Sequence, residues 1–249
     1  NLEEYPESLV IIGSGFIGLE FAATYAQFGT KVTVVDVIDT FLPREDEDVA
    51  QAVKEQLEAL GVTFNLGVQL KAVHQEGGKA VVEATTGEGA PVAFTTDAVL
   101  VATGRRANVQ GLDLDKAGVE LTERGAIKVN EFLQTNVPHI FAMGDVNGGP
   151  QFTFVSLDDF RIVKRFLAGD TTYSTKQRAK FPTATFINPP LASVGLNEKQ
   201  AKEAGIEVKV AKLPAMAIPK AKILGNQVGF YKVLVDASTN KIVGATLFA

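Results

Sequence analysis

Apolar residues along the chain gather into short runs with two alternating periods, and glycines mark the breaks between them. Ser8 to Ile12 is a strand-length apolar run that ends in a Gly-rich turn. From Phe16, apolar residues recur at helical spacing through Leu19, Ala22, Ala23 and Ala26 as far as Gly29, so strand, turn and helix are predicted in that order. Lys31 to Asp36 is a β-branched run and gives a second strand. Pro43 to Asp48 places acids at the start of a further helix that ends near Leu60-Gly61, and Val62 to Leu66 supplies a third strand. Val68 to His74, Lys79 to Ala84 and Val92 to Thr95, separated by Gly77-Gly78 and Thr86 to Gly89, predict an antiparallel meander. Ala98 to Ala102 returns as a buried strand. Residues 7–104 are thus expected to form one doubly wound α/β unit with the meander as its crossover.

Beyond Arg106 the pattern is loop-rich until Ile140-Phe141-Ala142, a short predicted strand that runs into Gly144-Asp145, and Phe160 to Ala168 predicts a helix ending at Gly169. A separate α+β layer follows. Its expected parts are a strand at Thr183 to Ile187, a helix at Asn197 to Ala204 capped by Gly205, and strands at Glu207 to Lys212, Gly229 to Asp236 and Lys241 to Phe248. This antiparallel sheet reaches Ala249 with no helices to cover it, so it is expected to expose a wide apolar face and to need a partner surface.

Composition narrows the function classes. Hydrophobic residues are 46% and charged residues 21% of the 249, which excludes a disordered or collagen-like chain. The formal charge of −5 gives no electrostatic support for nucleic-acid or anionic-membrane partners. The longest apolar runs are strand-sized, far below the roughly 20 residues that cross a bilayer. With no cysteine, these residues hold no disulfide, thiolate metal site or cysteine nucleophile. His74 in the meander and His139 in the apolar run from Val137 to Ala142 lack the companions of a triad or a metal site, and His139 is expected to be structural. No metal ligand and no catalytic side chain is therefore assigned. The opening Asn1-Leu2-Glu3-Glu4-Tyr5-Pro6 has neither an initiator Met nor a signal-peptide pattern, which predicts an internal segment of a longer, cytoplasmic polypeptide.

The most informative motif is Gly13-Ser14-Gly15-Phe16-Ile17-Gly18, a G-x-G-x-x-G directly after a predicted strand and opening a predicted helix. Gly13 permits the tight turn, Gly15 lets the backbone approach a pyrophosphate, and Gly18 lets helix and strand pack closely. The helix N-terminus then turns unpaired N–H groups toward the phosphates. A glycine-rich turn without a ligand would explain the glycines but not the context. Asp36 closes the next strand, where a carboxylate accepts hydrogen bonds from the ribose 2′-OH of NAD and repels the 2′-phosphate of NADP. Val37, Ile38, Asp39 and Thr40 follow it, with no cation before Arg44, which favours NADH over NADPH. The competing account is an acid that merely ends a strand.

Gly13 to Glu20, Val101-Ala102-Thr103-Gly104-Arg105 and Thr135 to Val146, taken together, resemble the flavoprotein pyridine-nucleotide disulfide oxidoreductases, the group of lipoamide dehydrogenase, glutathione reductase and mercuric reductase. Phe181 to Phe186 and Ala192 to Leu196 resemble the opening of that family's dimerisation domain. The departure Asn188-Pro189-Pro190-Leu191, with Gly148 to Gln151 and Pro219 to Lys222, more closely resembles the mercuric-reductase-like branch linked with bacterial defence against reactive chlorine species. The resemblance implies a Rossmann-type NAD-binding domain over residues 1–106, a second FAD-domain segment over 107–172 and the first part of a dimerisation domain over 173–249.

It further implies that Gly144-Asp145 belongs to an FAD site, with the Asp145 carboxylate accepting a ribityl hydroxyl. Glu20 would lie near the nicotinamide, Gly104 at the crossing between nucleotide and flavin domains, and Thr153 and Phe154 near the flavin pyrimidine, although Phe154 replaces the commoner Pro. The family passes hydride from the nicotinamide to the flavin and then electrons to a redox-active Cys pair. Neither that pair, the first FAD motif nor the C-terminal acid–base His is in this sequence. The chain alone is accordingly expected to be inactive. Its parent is expected to be a homodimer joined through residues from about 175 onward, acting on a small-molecule or disulfide substrate. A stand-alone nucleotide-binding or regulatory module is the alternative.

Overall fold

A computed structural model describes residues 4–249. The chain begins with β1 (Ser8–Ile12), α1 (Phe16–Gln27), β2 (Lys31–Val35), α2 (Glu47–Ala59) and β3 (Thr63–Asn65), followed by the meander β4 (Gln69–Glu76), β5 (Lys79–Thr85), β6 (Pro91–Thr96) and then β7 (Ala98–Val101). The parallel sheet has the order β3-β2-β1-β7, and the meander forms its own antiparallel sheet in the order β4-β5-β6. Both faces of β1 are covered. Leu9 and Ile11 pack with Leu19, Val53 and Leu57 from the two helices, while Val10 and Ile12 pack with Val82 and Ala84 from the meander. The period of two along β1 thus divides its side chains between helix layer and meander layer. Val49, Val53 and Leu57 are the buried stripe of α2. The strand β7 is only half-buried, against the expectation of a buried strand, because it lies at the sheet edge with β1 as its one neighbour.

Residues up to 104 and residues 180–249 make one compact unit, and residues 105–179 make a second. The second unit contains α3 (Thr153–Leu167) and a 3-10 turn at Gly144–Asn147. The expected strand at Ile140 to Ala142 is absent: Phe141 makes a single antiparallel bridge to Gln134, and no ladder extends from it. The helix α3 starts seven residues before the expected Phe160. Its buried positions Val155, Asp159, Ile162 and Val163 keep helical spacing, but one of them is an acid and so hides the apolar period.

The C-terminal part of the first unit comprises β8 (Thr183–Thr185), β9 (Leu191–Gly195), α4 (Glu198–Glu203), β10 (Val208–Pro214), α5 (Pro219–Leu224), β11 (Phe230–Asp236) and β12 (Ile242–Phe248). The antiparallel order is β10-β11-β12-β9-β8. The strand β9 and the helix α5 were not foreseen from the pattern. Asn197 caps α4 in a reciprocal box with Gln200. At the β11 to β12 turn, Oδ1 of Asp236 accepts from the hydroxyl and N–H of Ser238 and the N–H of Thr239, and these bonds hold its carboxyl at about 2. Leu191, Phe230 and Phe248 of this layer pack into the same core as α1 and α2, while Phe186, Ile223 and Ile242 are at least 70% exposed.

Lys232 of β11 is 1% exposed, and its ammonium meets Asp46 at 2.9 Å, Asp48 at 2.7 Å and Glu198 at 2.5 Å. These three carboxylates are close enough to hold a cation, and the Lys232 ammonium already stands among them. The cluster ties the start of α2 to the C-terminal sheet. Among the described residues, no helix is long and apolar enough to cross a membrane.

Candidate functional site

The glycine turn joins β1 to α1 at the edge where β2 and β7 flank β1. Gly13 has φ +111, its N–H donates to the Val35 carbonyl, and a Cβ there would run into the carbonyl of Ala102. A Cβ at Gly18 would run into the carbonyl of Gly13 and touch the Ile11 side chain, so this glycine sets how closely α1 crosses β1. Gly15 differs. Its backbone is extended, with φ −72 and ψ 177, and a Cβ would meet nothing within 4 Å. No internal contact demands glycine there, and the open space in front of it suits the close approach of a pyrophosphate. No side chain caps α1 and no acid lies in its first turn, so the orphan N–H groups of that turn are available to an anion. Phe16 and Ile17 are exposed on this turn.

Asp36 immediately follows β2 and faces the same turn. Its Oδ2 accepts the Ser14 N–H at 2.6 Å and the Ser14 hydroxyl at 2.7 Å, and its Oδ1 accepts the Ile38 N–H at 3.1 Å. Burial pushes the Asp36 carboxyl up, but the bonds from Ser14 and from the N–H groups of Ile38 and Val37 outweigh it and hold it below its ordinary value. A fixed anion therefore stands at the end of β2. Ser14, buried at 7%, serves as its anchor, a role that its place as an unspecified residue of the motif could not reveal.

Glu20 is half-buried on α1, and its Oε1 accepts the Phe186 N–H at 2.8 Å, which fastens the helix to the segment after β8. Gly104 has φ +107 with open space around it.

In the second unit, Gly144 opens the 3-10 turn with φ +73, and its N–H donates to the buried Oδ2 of Asp159 at 2.8 Å. Asp145 is half-exposed. Its Oδ2 pairs with Nη1 of Arg105 at 3.2 Å, and Nη2 of Arg105 donates to the Gln151 carbonyl at 3.0 Å. Oδ1 of Asp145 has no partner among the described residues, so it can accept a hydroxyl of the kind a ribityl chain carries. Thr153 and Phe154 are exposed in the first turn of α3, with the Phe154 ring stacked on Phe152 at 5.1 Å. Gly13 to Gly18 and Asp36 thus come together in the first unit, and Gly144, Asp145, Thr153 and Phe154 in the second. His139 is exposed in the Val137 to Ala142 segment. Sequence reasoning missed Asp159 and the Arg178 guanidinium that donates to it; the available signal was an acid at helical spacing between Val155 and Ile162.

Residues 1–159 match the pyridine nucleotide-disulphide oxidoreductase family, and residues 181–249 match its dimerisation domain. The chain belongs to this family. Its doubly wound unit is the Rossmann-type nucleotide domain of that family, and its C-terminal sheet lies in the dimerisation domain. Among related proteins, the probable pyridine nucleotide-disulfide oxidoreductase RclA of Escherichia coli is 41% identical over 247 residues, which cover 99% of this chain and 55% of that protein. A dihydrolipoyl dehydrogenase of Mycobacterium tuberculosis is 38% identical, covering 98% and 52%, and a mercuric reductase of Staphylococcus aureus is 37% identical, covering 98% and 44%. The solved HOCl-induced flavoprotein disulfide reductase RclA from Escherichia coli superposes with a TM-score of 0.94 at 39% identity, covering 100% of this chain and 56% of that one. The chain therefore spans about half the length of the relatives it matches.

Proposed function

We propose that these residues supply the NAD(H) site and the second flavin-binding segment of an NADH-dependent FAD oxidoreductase, which passes hydride from NADH through flavin to a disulfide or other oxidised acceptor. The nicotinamide and flavin supply the hydride chemistry when bound. The chain's own residues bind and orient. Gly15 leaves room for a pyrophosphate, the first turn of α1 offers its N–H groups, and Asp36 accepts the ribose hydroxyls. In the second unit, Oδ1 of Asp145 accepts a ribityl hydroxyl while Arg105 holds Oδ2. The division at residues 1–106, 107–172 and 173–249 and a homodimer formed through residues from about 175 onward belong to this reading, as does a cytoplasmic setting. The likeness to an HOCl-induced reductase supports the reactive-chlorine branch as its place within the family.

The observation that carries the cofactor choice is the Ser14 clamp on Asp36. A carboxylate already held ionised by three hydrogen bonds cannot neutralise itself cheaply beside a 2′-phosphate. NADH is expected to bind more tightly than NADPH by about 1–3 kcal/mol, or roughly 5- to 150-fold, in calorimetric titrations of the two. Asp36→Ser should remove most of that preference. Tighter binding of NADPH to the native protein would refute the assignment. These 249 residues alone are expected to be colourless and inactive with NADH, because only one flavin segment lies among them; flavin absorbance with steady NADH oxidation would contradict this.

A further inference from the structure

Asp159 is 2% exposed in the middle of α3, and its two carboxylate oxygens face different partners, one the 3-10 turn and the other Arg178. Its Oδ2 accepts the Gly144 N–H at 2.8 Å and Nδ2 of Asn147 at 3.1 Å, the two ends of the 3-10 turn. Its Oδ1 accepts Nη2 of Arg178. Nε of the same guanidinium donates to Asp158 at 2.7 Å, and the Tyr173 hydroxyl donates to Asp158 at 3.1 Å. One buried carboxylate thus clamps Gly144 and Asn147, the first and last residues of the turn that carries Asp145, and a largely buried guanidinium fork fixes that carboxylate from behind. Gly144 sits at φ +73, and a Cβ added there would run into the Ser156 hydroxyl, so the turn is built around a glycine at this position.

We propose that Asp159, held by Arg178, is a positioning residue that sets the Asp145 carboxylate for the flavin's ribityl chain. This rests on the reading of Asp145 as a flavin contact. A carboxylate presented on a free turn would have to be ordered on binding, whereas here the turn is ordered beforehand.

The test is a double-mutant cycle on the native polypeptide stripped of flavin, reading the FAD dissociation constant from quenching of flavin fluorescence. Asp145→Asn and Asp159→Asn should each raise that constant about tenfold, as expected for losing one hydrogen bond to an ionised acceptor. In the Asp145→Asn background, Asp159→Asn should add less than about twofold, because nothing remains for it to position. Arg178→Lys keeps the charge but loses the fork, and should raise the constant about threefold, again only when Asp145 is present. It decides the matter if Asp159→Asn fails to fold. Equal effects in both backgrounds, which a merely structural role would give, overturn the proposal, as does an unchanged constant for the Asp159 and Arg178 variants. An unchanged constant for Asp145→Asn overturns the flavin reading itself and the proposal with it.

Discussion

Replacing Lys232 by Met is expected to lower the unfolding free energy of the first unit by about 3 kcal/mol, seen as a lower urea midpoint at an unchanged slope. The ammonium is 1% exposed and meets three carboxylates, of which Asp46 is itself buried while Asp48 and Glu198 reach solvent. Without it, Asp46 keeps a buried charge whose remaining partners are the N–H groups of Glu198 and Lys199. That is the costly case of a broken buried pair, and the solvent contact of the other two acids places it at the low end of the usual range. Adding Asp46→Asn should recover part of the loss by removing the stranded charge. The cluster also fixes the pH dependence. Burial pushes the Asp48 carboxyl up, but bonds from Lys212 and Lys232 outweigh it and hold it below the ordinary 3.8, so its contribution is in place above that pH and is lost as pH falls through the folded value. Burial pushes Lys232 down, and Asp48, Glu198 and Asp46 push it further up, well above the ordinary 10.5; its contribution is present below that pH and disappears only as pH rises through the folded value. An unaltered midpoint for Lys232→Met at pH 7 would show that the cluster carries no stability.

What could be read from the sequence is what the chain settles locally. The glycine spacing, the helix after it and the acid at the end of β2 are all set within 24 residues, from Gly13 to Asp36, by backbone sterics and period. The parts that escaped depend on partners far along the chain. Lys232 reads as an ordinary strand lysine until Asp46, 186 residues away, is placed beside it. Asp159 interrupts the apolar period of α3 because its partners are the Gly144 N–H, 15 residues back, and Arg178, 19 residues ahead. The strand β9 begins directly after Pro189-Pro190 and contains Ser193, so it carries the marks of a loop; its strand character comes from pairing with β12 and β8 on its two sides. Glu20 was expected near a nicotinamide, and its bond to the Phe186 N–H also depends on tertiary placement.

Within the glycine motif, Gly15→Val and Gly18→Ala should fail in opposite ways. At Gly15 the backbone is extended, a conformation Val adopts freely, and the added carbons would enter open space, so the unfolding free energy should fall by no more than the loss of a tolerated N-cap, under about 1 kcal/mol, with a correspondingly small drop in thermal midpoint. NADH affinity, however, should fall more than about 100-fold, because the branched side chain would occupy the place a pyrophosphate needs and cover the N–H groups of the first turn. At Gly18 the added methyl would meet the Gly13 carbonyl, a backbone atom that cannot turn away, so α1 must lift from β1 at a cost of about 1–3 kcal/mol. Binding weakens there too, but as a consequence of the displaced helix. Thermal unfolding followed by NADH titration of both variants separates the two: a stable Gly15→Val protein that still binds NADH tightly would mean that the open space before α1 is not where the pyrophosphate lies.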